Sequence, residues 1–103
     1  MNRVFKALAD PSRRRILQLL RDGPLSAGDI ASHFDLAKPT LSGHFAVLRE
    51  ADLVDQERQG TTIYYRLKLS VLEEALSGLM DSMGIGQAEP RDAPAGNMSR
   101  QGK

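Results

Sequence analysis

The chain has 103 residues, no cysteine and a net charge of only +1. That length allows one small domain with a modest core, and the absence of thiols excludes disulfides and thiolate metal sites. No run approaches the roughly 18 apolar residues of a membrane span and no signal-peptide core is present, so the expectation is a cytoplasmic protein without membrane insertion.

In chain order, Asn2 to Ala9 carries Val4, Phe5 and Leu8, a set that suits a short amphipathic helix. Asp10-Pro11 reads as a fresh N-cap with proline at the first helical position. The helix that follows runs to about Asp22, turns Ile16, Leu17 and Leu20 inward, and stops at Gly23-Pro24. Ser26 and Asp29 resemble a capping box for a third helix, about Ala27 to Phe34, that presents Ile30 and Phe34. Asp35-Leu36-Ala37 is a tight connection to a fourth helix, Pro39 to Ala51, with Lys38 just outside it. Two helices joined so closely predict a helix-turn-helix, whose second member enters the DNA major groove.

That fourth helix carries the clearest functional signal. Leu41, Phe45 and Leu48 recur at i, i+4, i+7 and form one apolar face. Ser42, Gly43, Ala46, Arg49 and Glu50 lie opposite, with Thr40 on the flank. From Leu36 through Arg49 there is no acid, whereas a solvated helix face ordinarily mixes acids with bases. Short side chains, a few donors and no carboxylates suit a helix that approaches phosphates and base edges. Acids gather just beyond it, at Glu50, Asp52, Asp55 and Glu57.

Period two then replaces the helical pattern. Val54 to Arg58 and Thr61 to Leu67 predict a hairpin turning at Gln59-Gly60, with Ile63, Tyr65 and Leu67 sharing one face. A hairpin after a helix-turn-helix is a wing, and its tip, Arg58 to Thr61, offers a cation and short polar groups to a phosphate or the minor groove. The last helix, about Ser70 to Met83, holds Val71, Leu72, Ala75, Leu76, Leu79, Met80 and Met83, more apolar surface than so small a core covers. This points to a partner, most simply a second copy. Gly86 to Lys103 has the composition of a disordered tail, so the predicted organisation is a domain over residues 1–85 and a tail over 86–103. The fold class is mainly α with a small β-hairpin: about five helices plus a two-stranded wing.

With these elements in place, Phe5-Lys6-Ala7-Leu8-Ala9-Asp10-Pro11-Ser12-Arg13-Arg14-Arg15-Ile16-Leu17 resembles the opening signature of ArsR-type winged-helix repressors. Lys38 to Phe45 with Val47 to Ala51 resembles their recognition helix, and Gly60 to Leu67 their wing. The short form is most similar to the Sdp-type autorepressor subgroup. The resemblance implies a homodimer, joined mainly through its first and last helices, that binds an inverted-repeat operator on double-stranded DNA and represses transcription. The residues assigned to DNA are Lys38, Pro39, Thr40, Ser42, Gly43, His44, Arg49, Arg58 and Gln59. Those assigned to the dimer are Val4, Phe5, Leu8, Leu72, Leu76, Leu79 and Met83.

Sensors in this family place a Cys-x-Cys pair on the third helix or a His/Asp set on the last. Here the matching positions hold Ser26 to Ile30 without cysteine, and Glu73, Glu74 and Asp81 without histidine. No metal or other cofactor is therefore expected, and arsenic or zinc sensing is not carried over. Control by protein concentration or by a regulatory protein partner fits better.

Several residues carry two readings. His44 is either a packed, hydrogen-bonded histidine or a donor to DNA. His33 reads as a surface histidine, and Met80 and Met83 as interface rather than pocket. Arg13, Arg14 and Arg15 point about 100° apart on their helix, so at least one faces solvent and one is a candidate for the DNA backbone. The alternative to a DNA-binding regulator is a winged-helix module that binds another protein, which would present an apolar patch at Lys38, Thr40, Ser42 and Arg58. Nothing in the sequence resembles the paired acid, base or nucleophile of an enzyme.

Overall fold

A computed structural model describes residues 2–86. Of the predicted tail only Gly86 lies within them; the rest of it falls outside the described residues. The order is α1 (Asn2–Leu8), α2 (Pro11–Leu19) with a 3-10 turn (Leu20–Asp22), β1 (Leu25–Ser26), α3 (Ala27–Ala31), α4 (Lys38–Glu50), β2 (Val54–Gln59), β3 (Thr62–Leu67) and α5 (Leu69–Ser82). Contacts group the chain into a unit that ends at Leu72 and a second that begins at Glu73, within α5.

Each helix start has a local cause. Asp10 caps α2 by accepting from the amides of Ser12 (2.7 Å) and Arg13 (3.3 Å), and Ser26 Oγ caps α3 by accepting from the Asp29 amide at 3.0 Å. Partial burial raises the Asp10 carboxyl, but the two amide bonds and the nearby His44 and Arg13 side chains outweigh it and hold it below the ordinary carboxylate value. Helix α1, at seven residues, is too short to persist by itself. Its terminal carbonyls are satisfied by arginines from the first turns of α2: Arg13 donates to Ala7 (Nε, 2.8 Å) and Lys6 (Nη2, 3.0 Å), and Arg14 to Leu8 (2.7 Å). Cations at a helix C-terminus also meet its negative dipole end.

The core of the first unit is built from Val4, Ala7, Ile16, Leu17, Leu20, Ile30, Leu41, Phe45, Leu48, Leu53, Val54 and Tyr65. Helix α1 packs on α2 and α4, and α3 packs on β1 and β3. The sheet has three strands rather than the hairpin alone, in the order β1-β3-β2 and antiparallel throughout. Strand β1 pairs Leu25 with Tyr65 and Ser26 with Tyr64, so the wing is tied to the segment that leads into α3. A two-stranded ribbon alone would be marginal.

Several boundaries differ from the sequence reading; α1, α4 and α5 each end one residue earlier, at Leu8, Glu50 and Ser82. Helix α3 ends at Ala31 rather than Phe34, because its last turn tightens: His33 donates to Ile30 and Phe34 to Ala31. Lys38 lies inside α4, with Ala37 in the extended N-cap conformation. The wing turns one residue later than expected, at Gly60-Thr61, since Gln59 pairs with Thr62. Gly60 has φ +64° while Thr61 stays out of the positive region, which fits a turn with glycine first. Helix α5 begins at Leu69 rather than Ser70.

The junction from α4 to the wing is the one place where a non-glycine residue among those described takes positive φ: Asp52, at +61°. The Leu53 amide donates to Leu48 O (3.0 Å) and the Asp52 amide to Arg49 O (2.9 Å), while Leu48 and Leu53 are fully buried. This is a Schellman ending with aspartate at the usual glycine position. Its carboxylate accepts from Lys68 Nζ at 2.7 Å, and Asp55 lies 4.0 Å from the same nitrogen. The bond to Asp52 is the main cause that raises the Lys68 ammonium; partial burial lowers it, and the two carboxylate charges add to the rise. The lysine's contribution to that pair is therefore fully present at and below the ordinary lysine value of 10.5, wherever the carboxylate is ionised, and is lost as pH rises through the raised one. Helix α5 ends the same way with glycine: Gly84 has φ +69°, and Ile85 donates to Met80 O at 2.9 Å.

Because an L-residue in the left-handed region is strained, Asp52→Gly is expected to raise stability by about 1 kcal/mol, more than the exposed ion pair it forfeits. Asp52→Val should lower it by about 1–2 kcal/mol. Urea titration of the three proteins checks the order.

Candidate nucleic-acid interface

The orientation of α4 follows from what it buries. Leu48 is fully buried, Leu41 and Phe45 are nearly so, and the Phe45 ring stacks on Tyr65 of β3 with centroids 4.3 Å apart and planes 12° apart. Burial raises the Tyr65 phenol above its ordinary value, partly offset by the Arg49 cation. With that side held, Lys38, Pro39, Thr40, Ser42, Gly43 and Arg49 are all exposed. No large apolar side chain is exposed along α4, so the patch a protein-docking module would show there is absent among the described residues.

The start of α4 differs from those of α2 and α3. Ala37 supplies no side-chain cap, and the first turn, like that of α2, has no acid. Its first amides are thus left for an outside acceptor, at the positive end of a 13-residue helix. Gly43 sits mid-helix, and a Cβ built on it would meet nothing within 4 Å. Packing within the chain therefore does not require glycine there.

Strand register sorts the wing by charge. Val54, Gln56 and Arg58 pair with Leu67, Tyr65 and Ile63, and this face looks onto α4, where Arg49 Nη1 donates to Gln56 Oε1 at 3.1 Å. Asp55, Glu57 and Gln59 pair with Arg66, Tyr64 and Thr62 on the other face, where Glu57 binds Arg66 at 3.4 Å. Both wing acids thus turn away from the α4 side. Arg58 and Gln59, assigned together from sequence, stand on opposite faces of the hairpin.

The two readings of His44 gain a geometry. The ring is half-buried, and Arg13 Nη1 lies 3.2 Å from its Nδ1. Arg13 is therefore tied to α1 and α4, and Arg14 to α1, while Arg15 bonds Gln18 on its own helix at 2.9 Å. The sequence could show a basic cluster but not which arginine folds back. Among the residues assigned to the dimer, Val4 is buried within the single chain, Phe5, Leu8, Leu72 and Leu79 are half-buried, and Leu76 and Met83 are exposed. No cluster of three or more metal-ligating side chains occurs among the described residues. No helix among them is long and apolar enough to cross a membrane.

These features match known proteins. A family model described as a helix-turn-helix domain matches residues 8–57. The chain is 43% identical over 86 residues to the transcriptional repressor SdpR of Bacillus subtilis, covering 84% of this chain and 96% of that one. It is 35% identical over 79 residues to an arsenical resistance operon repressor of Staphylococcus aureus, covering 77% and 76%. The crystal structure of an ArsR family transcriptional regulator superposes with a TM-score of 0.74 at 28% identity, covering 81% of this chain and 91% of that one. The chain belongs to the ArsR family of winged helix-turn-helix proteins. It is a DNA-binding transcriptional repressor and not an enzyme.

Gly43→Ala should raise stability by about 0.5–1 kcal/mol, since alanine fits the helix and meets no neighbour. Thermal melting checks it; a loss of stability would show that the position is packed.

Proposed function

We propose that the protein binds an inverted-repeat operator as a homodimer, with α4 in the major groove and the wing against the backbone, and represses its own transcription. The observation that carries this reading is the segregation of chemistry: an exposed side of α4 with small and donor residues and no acid from Lys38 through Arg49, Arg58 on the wing face that looks onto α4, and both wing acids on the far face. Lys38, Arg49 and Arg58 supply phosphate contacts, and Thr40 and Ser42 meet base edges beside Gly43, where the missing Cβ permits close approach. Gln59 reaches the DNA from the hairpin tip. No cluster of three or more metal-ligating side chains occurs among the described residues, and the proposed control is by protein concentration or by a regulatory protein that removes the dimer from DNA. This work requires the compartment that holds the chromosome, the cytoplasm. The working domain is residues 1–85, with the segment from Gly86 dispensable.

Helix α5 supports the dimer: Leu76, Met80 and Met83 are 42%, 41% and 55% exposed, an apolar surface seldom left to solvent. Phe5 and Leu8 of α1, with Leu72 and Leu79 of α5, are further contact residues in this proposal. Symmetry would set the half-sites about 10 bp apart, or a multiple of it.

Binding should weaken linearly in log affinity with log salt, with a slope of about −0.9 per phosphate contact. Arg58→Ala should weaken all duplexes alike, Thr40→Ala or Ser42→Ala should change the preference among them, and Gly43→Ala should weaken binding by about tenfold or more despite its greater stability. Gel-shift titrations on duplexes selected from a randomised pool measure all four; a flat salt response would sink the reading. Separately, Leu76→Asp should yield monomers or aggregates in sedimentation and lose tight operator binding. An unchanged dimer would contradict the assignment of α5.

A further inference from the structure

Arg13 is anchored on three sides. Its Nε and Nη2 donate to the Ala7 and Lys6 carbonyls at the end of α1, and its Nη1 lies 3.2 Å from His44 Nδ1 on α4. A guanidinium has donors only and does not lose its proton in proteins. The bond therefore exists only when Nδ1 offers a lone pair, and a neutral imidazole then carries its proton on Nε2. We infer that Arg13 is a positioning residue for DNA recognition: it fixes the tautomer and ring setting of His44 so that Nε2–H serves as a neutral donor to an acceptor atom on the DNA.

The placement of His44 supports this. It follows Gly43, which leaves the adjoining helix surface open, and it lies one turn beyond Thr40 on the flank of the exposed side. The residue is half-buried and its Nδ1 edge is held by Arg13, which leaves Nε2 as the ring atom for an outside acceptor in this inference. The packed reading and the DNA-donor reading are then two edges of one ring. The clamp also means that α1 and α4 share one side chain. The inference rests on the DNA-binding reading of α4 proposed above.

The two amides that mimic the two imidazole nitrogens test it. In His44→Asn the amide oxygen stands near the Nδ1 position and still accepts from Arg13, but no N–H reaches the Nε2 position. In His44→Gln the amide reaches the Nε2 position. Against a duplex selected by the wild-type protein, His44→Asn should bind roughly tenfold or more weakly, and His44→Gln within about threefold of wild type. An equal loss on random duplexes identifies a phosphate oxygen as the acceptor; a loss confined to the selected duplex identifies a base edge. Nitrogen-15 spectra of the imidazole in the free protein should show Nδ1 unprotonated and Nε2 protonated, and Arg13→Lys, which keeps the charge but not the fork, should return the ring to a mixture of tautomers. A wild-type spectrum with the proton on Nδ1, or His44→Asn binding as tightly as wild type, would overturn the inference. Failure of the wild-type protein to select any duplex would instead overturn the DNA reading of α4 itself.

Discussion

Everything on the DNA side depends on the burial of one side of α4. Leu41, Phe45 and Leu48 are withdrawn from water together, each at about 1.5–3 kcal/mol, and the Phe45–Tyr65 stack adds about 0.5–1.5 kcal/mol. The exposed Arg49–Gln56 hydrogen bond is a smaller contribution, about 0.5–1.5 kcal/mol for a typical bond. The seam therefore decides how the helix is rotated, and the polar link to the wing trims its setting. A rotation by one residue would bury Ser42 and expose Leu41. What the outer side presents is thus a consequence of what the inner side hides.

The same arrangement explains how a chain of net charge +1 can bind a polyanion. Affinity for DNA depends on local charge within a Debye length, about 8–10 Å at ordinary salt, rather than on the sum. The pairing of β2 with β3 puts Asp55 and Glu57 opposite Arg66 and Tyr64, so their carboxylates lie on the far side of the hairpin from Arg58. Asp52 is occupied by Lys68 at the end of α4. Of the acids that follow α4, Asp55 and Glu57 are thus turned away and Asp52 is paired.

Much of this was legible in the residues. Pro39, Asp10-Pro11 and Ser26 mark helix starts by chemistry that acts within three or four positions, and the i, i+4, i+7 apolar seam of α4 needed only helical geometry. Features that depend on distant partners were not legible. Strand β1 is two residues long and exists because Tyr64 and Tyr65 supply its pairing. Arg13 reads as one of three basic residues until α1 and α4 are seen on either side of it. The positive φ of Asp52 had no glycine to announce it, and the one-residue shift of the wing turn follows from register that cross-strand pairs set. The separation of Arg58 from Gln59 has the same origin.

The outer side of α4 and the α4-facing side of the wing tip are the surfaces proposed to meet DNA. Amide and side-chain chemical shifts of the labelled full chain, followed during titration with a selected duplex, test this proposal most directly. The largest changes are expected at Lys38 to His44 and at Arg58, with Asp55, Glu57 and Arg66 side chains little altered. Changes centred on the far face of the wing, with α4 silent, would contradict it.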